Sequence, residues 1–145
     1  MKVSTKGRYA LRVMLDLARY SESGLVPLKD ISRRQGITIK YMEQIISPLA
    51  RAGLVSSLRG SSGGYRLTRK PSEYTCGEIL RVMEGPLVPT ACLEGEGFVD
   101  CARAEECPTL TFWKGLSDVV NSYVDSVTLE KLLEEQDETG GDYVI

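Results

Sequence analysis

The stretch Ile31–Leu67, ISRRQGITIKYMEQIISPLARAGLVSSLRGSSGGYRL, constrains the fold more than any other part of the chain. Two short amphipathic runs flank Gly36, and a glycine between two short helices marks a helix-turn-helix. Pro27 opens the first run, which carries Leu28, Ile31 and Ser32. Thr38 suits the N-cap of the second. In that second helix Ile45, Ile46 and Leu49 share an apolar face. Lys40, Tyr41, Glu43 and Gln44 are polar and fall in its first turns, where a recognition helix carries base-reading side chains. Ser47-Pro48 is expected to end or kink it, because proline removes a backbone donor. Leu54–Leu58 and Tyr65–Leu67 then read as a hairpin around the glycine-rich turn Arg59–Gly64. Its glycines, Gly60 among them, permit positive φ and close approach of backbone to phosphate. The predicted fold is mainly α with a small β-wing: a winged helix-turn-helix continued by a long dimerisation helix.

Charge agrees with a nucleic-acid partner once the chain is divided. The whole chain carries a formal net charge of −2. Residues 1–70 hold 14 Lys and Arg against 4 Asp and Glu, net +10, whereas residues 71–145 hold 4 against 16, net −12. The basic half coincides with the helix-turn-helix and wing, and such asymmetry between halves signals nucleic-acid binding. No run of about 18 apolar residues is present, so no membrane span is expected. The charged N-terminus lacks the apolar core of a secretory signal, which points to the cytoplasm. Thiols stay reduced there, so the four cysteines argue for metal or redox chemistry rather than disulfides. The chain has no histidine, no nucleophile elbow and no phosphate-loop lysine, and is not expected to be an enzyme.

Taken in order, Ser4 caps a first helix that runs to Tyr20, with Tyr9, Ala10, Val13, Met14 and Leu17 as its apolar stripe. Lys2, Lys6, Arg8 and Arg12 crowd its start, where cations oppose the helix dipole; DNA phosphate is the natural counter-charge. Within the recognition helix Gln44 suits adenine, Lys40 guanine or phosphate, and Glu43 the cytosine amine. Tyr41 suits phosphate or base methyls, or else half-buried packing, and Thr38 joins this set at the helix start. Arg59 at the wing tip suits either the minor groove or a phosphate. Arg66, Arg69 and Lys70 extend the basic surface.

Residues 1–70 therefore read as a winged helix-turn-helix DNA-binding domain, and Pro71 marks its boundary. Residues 71–89 form a connecting helix, opened by the capping box Thr75-Cys76-Gly77-Glu78 and closed by Gly85. Residues 90–108, TACLEGEGFVDCARAEECP, form a loop long enough to be functional. Eight residues separate Cys92 from Cys101, and five separate Cys101 from Cys107. The tight cysteine pair usual for zinc is missing. Wider spacing favours an iron–sulfur cluster, ahead of zinc, a thiol switch or bystander thiols. Residues 109–136 read as a long helix to about Val127 and a short one from Leu129 to Gln136. Leu110, Trp113, Leu116, Val120, Tyr123 and Val127 recur at three- and four-residue intervals, a stripe that a second copy of the helix can cover in a twofold dimer, with part of it packing on its own winged helix. The tail, residues 137–145, is acidic and expected to be loose, although Tyr143-Val144-Ile145 can dock.

The segments MKVSTKGRYALRVMLDLA, YMEQIISPLARAGLV, RGSSGGYRL and GEILRVMEGP, together with the three loop cysteines, resemble the Rrf2-type family of winged-helix transcription factors, the family of the iron–sulfur cluster regulators. The resemblance covers nearly the whole chain. It implies a homodimer that binds pseudo-palindromic promoter DNA, with a long crossed dimerisation helix and a cluster-binding loop. It implies control of iron–sulfur cluster biogenesis genes through a two-iron, two-sulfur (2Fe-2S) cluster. The family's three cysteine ligands fall on Cys92, Cys101 and Cys107, with a longer first gap here than in the best-known members. Those members supply a histidine as fourth ligand; that position is Leu110 here. Glu105, Glu106, Cys76 or a residue of the partner subunit are the alternatives. Cys76 also sits at a helix N-terminus, which lowers a thiol pKa, although its simpler role is packing. In the family Glu43 is tied to discrimination between two classes of DNA site. Tyr41, Gln44 and Arg59 match DNA-contacting positions, and Lys40 replaces a serine. A cluster-free repressor of cysteine metabolism and a nitric-oxide-sensing regulator of the same family are the alternatives.

Overall fold

The computed structural model describes residues 1–95 and 101–140. Six helices and one hairpin follow in the order α1 (Thr5–Tyr20), α2 (Leu28–Gln35), α3 (Ile39–Arg51), β1 (Val55–Leu58), β2 (Gly64–Leu67), α4 (Cys76–Glu84), α5 (Leu110–Ser126) and α6 (Leu129–Gly140). The starts follow the capping residues. Ser4, Thr38 and Thr75 each accept a hydrogen bond at 3.1 Å from the N–H three residues on, in Gly7, Tyr41 and Glu78. Gly36 ends α2 with φ 66° and Gly85 ends α4 with φ 77°, left-handed values that glycine adopts without penalty.

One core joins these elements. Val13, Met14 and Leu17 of α1, Ile31 of α2, Met42, Ile45 and Leu49 of α3, Ile79 of α4 and Leu129 of α6 are all fully buried in it. The apolar positions of α1 and α3 thus do what their spacing predicts.

Four expectations change. Pro48 lies inside α3 and neither ends it nor stops its last turn. The buried face continues past it through Leu49, and the Pro48 carbonyl still accepts from Ala52 N–H at 3.0 Å. Burial on that face offsets the one donor that proline removes. The two-stranded wing gains an isolated bridge: Val26 and Tyr65 exchange both backbone hydrogen bonds at 2.8 Å. Gly64 permits it, because a Cβ there would meet the Val26 carbonyl oxygen at 2.5 Å. The last helix runs to Gly140 rather than Gln136, and Asp137 pairs with Arg19 of α1 at 2.7 Å. Docking of Tyr143-Val144-Ile145 falls outside the described residues.

The fourth change is in α5, where no residue is buried. The predicted stripe divides between two faces. Trp113 and Val120 are half-buried, and Asn121 donates to the Leu87 carbonyl at 2.8 Å. Leu116 and Tyr123 instead join Phe112 and Val119 in an outward row, 63, 37, 67 and 68% exposed in chain order. Spacing of four, three and four residues puts that row on one side of the helix.

Candidate nucleic-acid interface and cysteine loop

The first turns of α3 place Lys40, Glu43 and Gln44 on the solvent side while Met42, Ile45 and Ile46 face the core. None of the ion pairs among the described residues involves Lys40, Glu43 or Arg59. Thr38 is exposed, but its hydroxyl oxygen is engaged as the cap. Tyr41 is half-buried, with its ring edge-on to Tyr9 at 5.9 Å. Arg59 and Gly60 stand exposed at the wing tip, and Gly60 has φ 118°.

Lys2 is exposed ahead of α1. The Ser4 N–H donates to Glu84 Oε1 at 2.9 Å, and the Ser4 hydroxyl donates to the same oxygen. This ties the N-terminal segment to the end of α4. Gly7 lies beneath that carboxylate.

Two arginines of the basic half are paired with carboxylates. Arg34 donates to Asp16 through Nε at 2.9 Å and Nη2 at 2.7 Å, and its guanidinium covers the Tyr20 ring at 4.0 Å. The Asp16 hydrogen bond and charge hold the Arg34 pKa above its ordinary value. Arg69 pairs with Glu78 at 2.6 Å and stacks on Tyr74 at 4.3 Å. Sequence reading put Arg69 on the basic surface; here a carboxylate of α4 neutralises it. Asp16 is already counted in the net charge of the first half, whereas Glu78 comes from the second half and offsets one further positive charge.

The cysteine loop links the end of α4 to the start of α5. Cys92 and Cys107 are half-exposed and Cys101 is exposed. The Thr90 hydroxyl lies 3.1 Å from the Cys92 sulfur and the Thr109 hydroxyl 3.6 Å from the Cys107 sulfur. The Thr109 hydroxyl, with the backbone N–H groups of Thr109 and Leu110, draws the Cys107 thiol below its ordinary pKa. Among the described residues no three His, Cys, Asp or Glu side chains are gathered around a common point. By chemistry the donor set fits a thiolate-held cluster: three accessible sulfurs, two with hydroxyl neighbours.

Cys76 departs from expectation only in the direction of its thiol shift. It is 8% exposed at the start of α4, and its N–H donates to the Val127 carbonyl at 2.8 Å. Burial, and then the charge of Glu135, pushes its thiol up rather than down. Its role is packing. Leu110 is the half-buried first residue of α5.

Comparison with known proteins agrees with this geometry. Residues 3–135 match the family described as "Rrf2: Iron-dependent Transcriptional regulator". The chain is 44% identical over 133 residues to "HTH-type transcriptional regulator IscR" of Aliivibrio salmonicida, covering 92% of this chain and 77% of that relative. Among solved structures it is similar to CymR (YrzC), the global cysteine regulator of B. subtilis, with TM-score 0.76, 40% identity, and 93% and 98% of the two chains covered. It is also similar to T. potens IscR, with TM-score 0.75, 37% identity, and 96% and 90% covered. The winged-helix fold is thereby shown, and these relatives are regulators rather than enzymes. No helix among the described residues is long and apolar enough to cross a membrane.

Proposed function

The chain belongs to the Rrf2 family of iron-dependent transcriptional regulators, and from that membership we propose that it is a homodimeric regulator that senses iron–sulfur status through the loop of Cys92, Cys101 and Cys107 and controls iron–sulfur cluster biogenesis genes. The observation that carries the DNA-binding part is the face of α3. Lys40, Glu43 and Gln44 stand exposed on a helix whose opposite side is fully buried, a polar surface that the fold itself does not use.

On DNA, α3 lies in the major groove, and Thr38, Lys40, Tyr41, Glu43 and Gln44 read bases or phosphates. Arg59 and Gly60 bring the wing to the adjacent groove, and Lys2 meets phosphate. Glu43 discriminates between sites because a carboxylate against base edges is costly unless a donor meets it. Residues 1–70 act as the DNA-binding part, and the helices after the loop as the dimerisation part.

Cys92, Cys101 and Cys107 would hold the cluster, which when bound supplies a thiolate-ligated iron centre sensitive to iron supply and oxidants. Drawing the three sulfurs together fixes the chain between α4 and α5. Helix α4 packs on α1 and α3 and receives the Ser4 hydrogen bonds. A shift of α4 therefore reaches both Lys2 and Glu43. The row Phe112, Leu116, Val119 and Tyr123 supports a twofold dimer through α5. Two recognition helices about 34 Å apart then match a pseudo-palindrome.

The test is the visible spectrum, with iron and sulfide content, of anaerobically purified protein beside the Cys92→Ala, Cys101→Ala and Cys107→Ala variants. Loss of the chromophore in each variant is expected. A reconstituted protein with no chromophore would overturn the sensor reading and favour the cysteine-metabolism repressor, for which the likeness to the B. subtilis cysteine regulator speaks.

A further inference from the structure

Tyr74 has no part in the surfaces described above, yet it is fully buried between the wing and α4. Its hydroxyl donates to the Leu54 carbonyl at 2.6 Å, just before β1. The same oxygen accepts from the N–H groups of Thr68 at 2.9 Å and Arg69 at 3.1 Å, just after β2. The Thr68 hydroxyl, 3.1 Å away, reaches the Gly53 carbonyl at 2.8 Å. One phenol oxygen thus joins the two chain ends at the foot of the wing. The backbone on either side of the ring faces the other way. The Tyr74 carbonyl accepts from Leu129 N–H at 3.1 Å, and the Cys76 N–H donates to Val127. Arg69 closes the assembly by stacking on the ring and pairing with Glu78.

We infer that Tyr74 is a positioning residue for DNA recognition: its hydroxyl seats the wing on the junction of α4, α5 and α6 and so sets where Arg59 meets DNA. The inference rests on the DNA-binding reading of Arg59. A hydrophobic ring in this place would pack equally well. The hydroxyl, on a side chain that is itself fully buried, is what satisfies two N–H donors and a carbonyl. Because the other side of Tyr74 holds the start of α6 and the end of α5, the seat also links the wing to the helices behind the cysteine loop.

The experiment uses the full-length chain and a DNA site selected from random sequence by the wild type. Tyr74→Phe keeps the ring and removes the seat. It is expected to weaken binding about tenfold, the size of one lost wing contact. In an Arg59→Ala background the same substitution should then change affinity by less than about twofold, since the contact it positions is already gone. Equal effects in both backgrounds would overturn the inference, because a loss of general stability acts regardless of Arg59. Amide exchange gives a readout independent of DNA. In Tyr74→Phe the amides of Ser56–Leu58 and Tyr65–Leu67 should exchange faster while those of α1 and α3 keep their protection. Uniform or unchanged exchange would overturn the seat. Thr68→Val, which leaves Tyr74 intact, should show the same pattern more weakly. Failure of Arg59→Ala to affect binding would count against the wing reading alone, and the exchange pattern would still decide the seat.

Discussion

Replacing Arg34 by alanine should destabilise the protein by about 3 kcal/mol. The Asp16 side chain is 1% exposed, and three donors meet its carboxylate: Arg34 Nε at 2.9 Å, Arg34 Nη2 at 2.7 Å and Gln35 Nε2 at 2.9 Å. Two of the three, and the only positive charge among them, belong to Arg34. Opposite charges about 4 Å apart attract by roughly 4 kcal/mol at an effective dielectric of about 20. Removing one partner of a buried pair costs about 3–5 kcal/mol, because the other charge stays behind without compensation. Arg34 is 25% exposed, so water replaces part of the loss and the lower end applies. For a chain of this length that is a fall of about 10 °C in melting temperature. Thermal unfolding followed by circular dichroism at neutral pH reads it directly. Arg33→Ala is the matched control: its partner Asp30 lies at 3.7 Å and Arg33 is 75% exposed, so about 0.5 kcal/mol or less is expected. With Asp16→Asn already present, Arg34→Ala should cost less than about 1 kcal/mol, since no buried charge remains. An Arg34→Ala protein that melts with Arg33→Ala would refute the reasoning.

Gly77→Ala should cost about 1–3 kcal/mol by overpacking, since a Cβ there runs into the Asp125 carboxylate that pairs with Arg81; denaturant unfolding would show it, and a neutral substitution would mean that α4 and α5 can part freely. Iodoacetamide at neutral pH should modify Cys107 well before Cys76 in cluster-free protein, because one thiol is drawn below and the other pushed above its ordinary value; mass spectrometry of timed samples gives the order, and reversal would contradict the burial of Cys76. That raised thiol also sets a sign in alkali: the folded chain keeps a proton that the unfolded chain gives up, so Cys76 makes stability fall as pH rises past the ordinary thiol value, a slope that Cys76→Ala should remove. Asp125 works in the opposite direction. Its Arg81 hydrogen bonds hold its carboxyl below the ordinary value, so its contribution is present above about pH 4 and lost as pH falls through the lowered value; Arg81→Gln should flatten that part of the acid unfolding curve.

Local signals in the sequence carried most of the architecture. Ser4, Thr38 and Thr75 cap where their side chains suggest, and Gly36 and Gly85 stop helices where left-handed backbone is needed. The errors arise where a distant partner decides. Pro48 is helical because Leu49 beyond it has a core to enter. Arg69 looks like further basic surface until Glu78 comes against it. Val26 joins the wing only because Gly64 lets it approach. The outward row of α5 was readable, since Phe112, Leu116, Val119 and Tyr123 keep a four-three-four spacing. A broader apolar pattern hid it, because the helix has two apolar faces and only one meets its own chain. In the candidate site the residue types were legible. The seat beneath the wing was not, because a tyrosine before a helix carries no local mark of what its hydroxyl will touch.

The wing is held in register by the pairs Val55↔Leu67 through Leu58↔Gly64 and clamped at its foot by Val26. At the tip Gly60 needs its positive φ, and a Cβ on Gly63 would run into the Leu58 carbonyl oxygen. Arg59, Ser61 and Ser62 are left as exposed positions with no duty in the fold. Exchanging those three side chains therefore leaves the stability of the domain where it stands, so the wing tip is free to vary in chemistry while its backbone stays fixed.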